Sequence, residues 1–127
     1  MIVALLLAAA ADVQQTADDP VEIACLKTDE SQQGMNRCAG DAFERADKAL
    51  NAMWAKVLAR YGGEAKSKKL LLDSQRAWLK YRDSHCELAA YDNIGGSIWP
   101  LINSGCLAAA TRQRTRELAD LIEGEGQ

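Results

Sequence analysis

This sequence predicts an all-α fold: an antiparallel long helical hairpin plus a third C-terminal helix, stapled by two disulfides. Three observations predict it. Apolar residues recur every three or four positions over two long stretches, Gly62 and Gly63 interrupt them, and four cysteines stand at wide spacings. The 127 residues are 48% hydrophobic with a net charge of -3, which suits one compact domain rather than a disordered chain. The acidic balance lacks the basic footprint of a nucleic-acid binder. One histidine and no close cysteine pair leave few ligands for a metal, so neither a metal nor a cofactor is expected.

Met1 to Ala11, MIVALLLAAAA, reads as a signal peptide (1-11), with Ala9 and Ala11 filling the small-residue positions before a cut, although no Lys or Arg precedes the apolar run. A buried N-terminal helix is the competing reading. The run is too short for a membrane span, which needs about 20 apolar residues. Residues 12-27 form an acidic N-terminal arm, in which Asp12, Asp18, Asp19 and Glu22 face only Lys27. Two readings stand for it: a mobile arm that steers a cationic partner, or a soluble linker. The helical domain then spans 28-123.

Its first helix runs from Thr28, the expected N-cap, to Tyr61, with Met35, Ala39, Ala42, Ala46, Leu50, Met53 and Val57 on one face. A second runs from about Ser67 to Ala90 with Leu70, Leu71, Ser74, Ala77 or Trp78, Tyr81 and His85 inward. Its start is blurred, because Lys66, Lys68 and Lys69 sit where the helix dipole disfavours cations. A two-residue glycine turn makes the pair antiparallel. Equal heights then place Phe43 opposite Tyr81, Ala46 opposite Trp78, Trp54 opposite Leu70 and Cys38 opposite Cys86. The preferred disulfides are therefore Cys38 with Cys86 and Cys25 with Cys106, although one helical turn of slippage moves facing residues by about 5.4 Å and other pairings stay open. An even cysteine set without CxxC fits an oxidising, periplasmic or secreted location.

Tyr91 to Ser104, YDNIGGSIWPLINS, reads as a structured loop, after which Ser104 caps a third helix with Leu107, Thr111, Arg114, Leu118 and Leu121 along one face. Within the loop Ile94, Gly95, Gly96, Ser97, Ile98 and Trp99 are the candidate partner-binding residues: apolar anchors beside glycines that allow close backbone approach. The alternative is a loop folded back over the hairpin with Trp99 as its plug.

Catalytic chemistry is not expected. His85 has no nucleophile at a recognisable spacing, and Asp83 with Glu87, four apart on one helix, reads more simply as solvated surface than as a glycosidase pair, which also needs a cleft. RAWLKYRD, Arg76 to Asp83, is either a partner face or a Trp and Tyr core stripe flanked by bridging charges. The basic groups Lys66 to Lys69 and Arg112 to Arg116 are short and balanced by acids.

An ordered set of motifs carries a resemblance: Met35-Asn36-x-Cys38; Asp47-x-x-Leu50-Asn51; Gln75-Arg76-Ala77-Trp78-x-x-Tyr81-Arg82-Asp83-x-x-Cys86; Gly95-Gly96-Ser97; and Cys106-Leu107-x-x-x-Thr111-x-x-Arg114-x-x-x-Leu118. Together these resemble the LprI-type lysozyme inhibitor domain over about Cys25 to Ile122. Gly34 departs from the acidic residue common there, and Gly40 from a better helix former. The resemblance implies an exported bacterial helical domain and, for some members, inhibition of lysozyme. Together with the charge and the loop composition it leads to the expectation of a protein partner, lysozyme, whose muramidase cleft is occluded by the Gly95 to Trp99 loop or by the acidic arm. A non-catalytic cell-envelope interaction or stress module is the alternative function.

Overall fold

The computed structural model describes residues 19-123, so the expected signal peptide and residues 12-18 of the acidic arm lie outside the described residues. Four α-helices and one 3-10 turn follow in order: α1 Pro20–Thr28, α2 Gln32–Tyr61, α3 Ala65–Ala89, the 3-10 turn Tyr91–Asn93, and α4 Trp99–Glu123.

Residues 20–28, at the end of the arm, form a helix, and the next helix starts at Gln32 rather than after a cap at Thr28. Asp19 caps α1, its Oδ1 accepting from the Val21 and Glu22 amides at 3.0 and 3.3 Å, while Pro20 occupies the first turn, where a missing N–H costs nothing. Thr28 ends α1 instead of capping α2. Asp29 is extended, and Ser31 caps α2 by accepting from the Gly34 amide at 3.0 Å. Asp29 folds over this cap, accepting from the Ser31 amide and hydroxyl and pairing with Arg37. A Cβ on Gly34 would overlap the Asp29 carboxylate, so the glycine that departs from the family pattern makes room for the cap.

At its far end α2 closes through the Gly62 amide, which donates to the Leu58 carbonyl at 2.7 Å. Helix α4 begins at Trp99 rather than at Ser104. Pro100 lies in its first turn, where proline's fixed φ favours a helix start.

Helices α2 and α4 run parallel: Asn36 meets Ser97 near their starts, and the Tyr61 hydroxyl donates to the Leu121 carbonyl near their ends. Helix α3 runs against α4, as Cys86 with Cys106 and Gln75 with Arg114 show. The result is an up-down-up bundle in which α4 makes its most extensive contact with α2, whereas α3 touches α2 sparingly. Small buried residues allow this: Ala39, Ala42 and Ala46 on α2, and Ala108 and Thr111 on α4. Leu50, Val57, Leu71 and Leu118 form the core cluster, with Trp54 and Trp78 packed on it. Burial of such side chains contributes roughly 1.5 to 3 kcal/mol each.

The disulfides are Cys25–Cys38 and Cys86–Cys106, with Cα separations of 5.7 and 5.5 Å, which overturns the preferred Cys38 with Cys86 and Cys25 with Cys106. That choice required α2 and α3 to pack face to face. Instead the Arg82 guanidinium sits between the rings of Phe43 and Trp78, 5.5 and 5.2 Å from their centroids, and α3 turns Cys86 toward α4. The facing pairs change accordingly. Tyr81 is 60% exposed rather than opposite Phe43, and Leu70 is exposed while Leu71 is buried. The inward face of α3 is rotated by about one residue, because an arginine that sequence patterning sends to solvent points inward.

Candidate functional site

The candidate binding residues stand on a loop with a fixed base. The buried Cys86, in the last turn of α3, is bonded to Cys106 in α4, closing a 20-residue separation around the loop. Backbone hydrogen bonds then define its course: Asn93 to Ala90 at 3.0 Å, Gly96 to Asn93 at 2.9 Å, and Trp99 to Gly96 at 3.2 Å, amide donating to carbonyl in each. Gly95 has φ +80, a left-handed conformation in which any Cβ is strained. From α2, the Asn36 amide nitrogen donates to the Ser97 carbonyl at 2.8 Å, and Gln32 orients Asn36 by donating to its oxygen at 2.8 Å. Asn36 is therefore the tether between the helical scaffold and the loop.

What this frame presents is apolar. Ile94 is 65% exposed, Ile98 is exposed, and Tyr91 and Leu88 extend the same end of the molecule with 65% and 74% exposure. Trp99 is half-buried at the start of α4. Asp83, Glu87 and Asp92 add acidity near this end, all exposed. Sequence patterning did not single out Leu88 and Tyr91, whose exposure extends this apolar end. Their signal was present in an apolar pair flanking Ala90, but helical periodicity assigned Leu88 no face.

The remaining motif residues build the scaffold. Arg114 donates from Nε to Gln75 Oε1 and from NH2 to Ser74 Oγ, both at 3.0 Å, and pairs with Glu117 at 3.2 Å. Arg82 pairs with Asp83 at 2.9 Å and reaches the fully buried Thr111 hydroxyl at 3.4 Å. Both guanidiniums lie over the Trp78 ring. Only 12% and 11% of the two arginine side chains is exposed, so their planar forks join α3 to α4 as partly desolvated hydrogen-bonding groups. Leu50 and Leu118 are core, and Met35 precedes the tether. Asp47 is half-buried, Asn51 is exposed, and the exposed Arg76 pairs with Asp73 at 3.9 Å. Tyr81 stacks on His85, with centroids 5.5 Å apart.

Helix α1 is held by charge as well as by its disulfide. Burial penalises the Asp19 carboxylate, but the Arg45 hydrogen bond at 2.8 Å and the two cap amides outweigh it, so its pKa is lowered. Burial pushes Glu22 up, against the opposing pull of Arg112.

The family model for lysozyme inhibitor LprI matches residues 24–118, the span that contains both disulfides, the tether and the arginine seam. The chain belongs to the LprI family. The uncharacterised protein R02472 of Rhizobium meliloti (strain 1021) is 41% identical to this chain over 106 residues, covering 73% of this chain and 75% of its own. The LprI fold also resembles the crystal structure of a DUF1311 family protein from Pseudomonas putida KT2440. That match has a TM-score of 0.66 at 20% identity and covers 72% of this chain and 94% of that one.

Proposed function

We propose that the protein is an exported inhibitor of a lysozyme-like muramidase, acting without catalysis by seating the Ile94 to Trp99 loop in the enzyme's substrate cleft. The observation that carries the reading is an apolar loop whose base is closed by Cys86–Cys106 and whose middle is tethered by Asn36. A loop ordered before contact loses less conformational entropy on binding, the usual advantage of preorganised binders. The neighbouring carboxylates Asp83, Glu87 and Asp92 favour a basic enzyme and speed encounter, within a Debye length of about 8 Å at physiological salt.

Two disulfides in so small a domain support an oxidising compartment, the periplasm or the outside of the cell. No described helix is long and apolar enough to cross a membrane. The test is a lytic assay with oxidised protein against a panel of lysozymes. Inhibition is expected, with Ile94→Asp abolishing it while leaving thermal stability unchanged. Full lytic activity at large molar excess against every class tried would defeat the proposal and leave an envelope interaction module as the function.

A further inference from the structure

Outside the loop, α3 carries a second, exposed feature, of which the Ser74 hydroxyl also accepts from Arg114 of α4 within the bundle. Leu70, Ser74, Ala77, Tyr81, Ser84 and Leu88 follow one another at spacings of four and three, the repeat of a helix-pairing seam, and every one of them is exposed. We propose that this seam is a homodimer interface in which α3 of one copy packs antiparallel against α3 of a second copy across a two-fold axis.

Three properties of the seam select a second copy as the occupant. The first is self-complementarity. An antiparallel pair centred on position 79 sets Leu70 against Leu88, Ser74 against Ser84 and Ala77 against Tyr81. Apolar then meets apolar, small polar meets small polar, and a small residue meets a large one, each contact occurring twice as an isologous interface requires.

The second is charge. Lys66, Lys68 and Lys69 crowd the start of α3 beside Glu64, while Glu87 and then Asp92 mark its end, Asp83 being paired with Arg82. This is the reverse of what the helix dipole favours, and Glu64 makes no side-chain cap. Alone, the helix carries an unfavourable charge order; antiparallel pairing brings each basic start beside the acidic end of the other copy.

The third is shape. Two open hollows of about 300 Å3 each flank the seam in the groove between α3 and α4, one bordered by Leu70 and Leu121 and the other by Trp78 and Tyr81. Eighteen residues of helix rise about 27 Å, and one helix is about 10 Å wide. The two facing α3 surfaces together therefore amount to roughly 540 Å2, the size of a weak, transient contact rather than of a permanent one. A reversible, concentration-dependent dimer is the expected form, with the two loops at opposite ends.

Sedimentation of the full-length oxidised protein over a concentration series should show the mass rising to twice that of one chain. Leu88→Glu and Leu70→Glu replace exposed residues, so both should keep the wild-type circular dichroism, and each should weaken dimerisation at least tenfold. Orientation is tested by a zero-length carbodiimide on mixed light and heavy isotopic protein. Lys66, Lys68 or Lys69 should join to Glu87 or Asp92 of the other isotopic form, because within one helix these groups stand about 27 Å or more apart. A single-chain mass at every concentration overturns the proposal, as does a dimer that survives both substitutions. A dimer lacking those inter-copy links overturns the antiparallel arrangement.

Discussion

Removing Cys86–Cys106 by the paired substitution Cys86→Ala and Cys106→Ala separates loop order from overall stability. The bond closes a 20-residue separation, and the chain-entropy relation gives about 3.3 kcal/mol for a ring of that size at 25 °C. Cys25–Cys38 closes 13 residues, which gives about 2.9 kcal/mol by the same relation. The two double mutants should thus lose nearly equal stability, a urea midpoint shift of about 2 M at a slope near 1.5 kcal/mol per molar. Their binding should diverge. Loss of Cys86–Cys106 frees the loop base and should raise the concentration needed for half-inhibition of a responsive lysozyme at least tenfold. Loss of Cys25–Cys38 releases only α1 and should leave that concentration within a factor of two. Urea melts and lytic titrations at a temperature where both variants remain folded make the comparison. Equal inhibition by the two variants would refute the claim that the disulfide orders the binding loop.

Gly95→Ala has open space for its methyl group but must keep φ +80, so thermal unfolding should register a loss of about 1 to 2 kcal/mol together with weaker inhibition. Arg114→Ala leaves Gln75 and Ser74 without their charged donor and should cost about 1.5 to 3 kcal/mol; Arg114→Lys should not restore it, because one ammonium cannot reproduce the fork. In α1, pH should act with opposite signs. Asp19 has a lowered folded pKa, so its contribution is present above the ordinary carboxylate value and fades as pH falls through the lowered one. Glu22, raised by burial, costs stability at neutral pH and recovers it as pH falls through its folded pKa. Asp19→Asn should accordingly destabilise and Glu22→Gln stabilise at pH 7, as chemical denaturation of each variant will show.

The three long helices, the Gly62-Gly63 turn and the inward positions of Leu50, Val57 and Leu118 were legible because periodicity and glycine report backbone and burial directly. The placement of α3 was not. Its inward face includes Arg82, whose charge is accommodated by Asp83, Thr111 and two aromatic rings, partners from three helices that no local pattern reveals. From that one inversion came the errors at Tyr81, Leu70 and the disulfide pairing. Asp19 as a cap was missed because its acidity suggested an arm, while the Pro20 that follows it signals a helix start. The loop was identified from Gly95 and Gly96, but its tether was not, since Asn36 lies 61 residues from Ser97.

Both sulfur bridges join neighbours in the order of the cysteines, first with second and third with fourth. For a chain emerging N-terminus first, an oxidant that couples thiols as they appear produces the native connectivity without correction. Cys25 and Cys38 can close before Cys86 is synthesised, and neither ring encloses the other. The nested alternative would hold Cys25 open until Cys106 arrived, exposed meanwhile to every wrong partner.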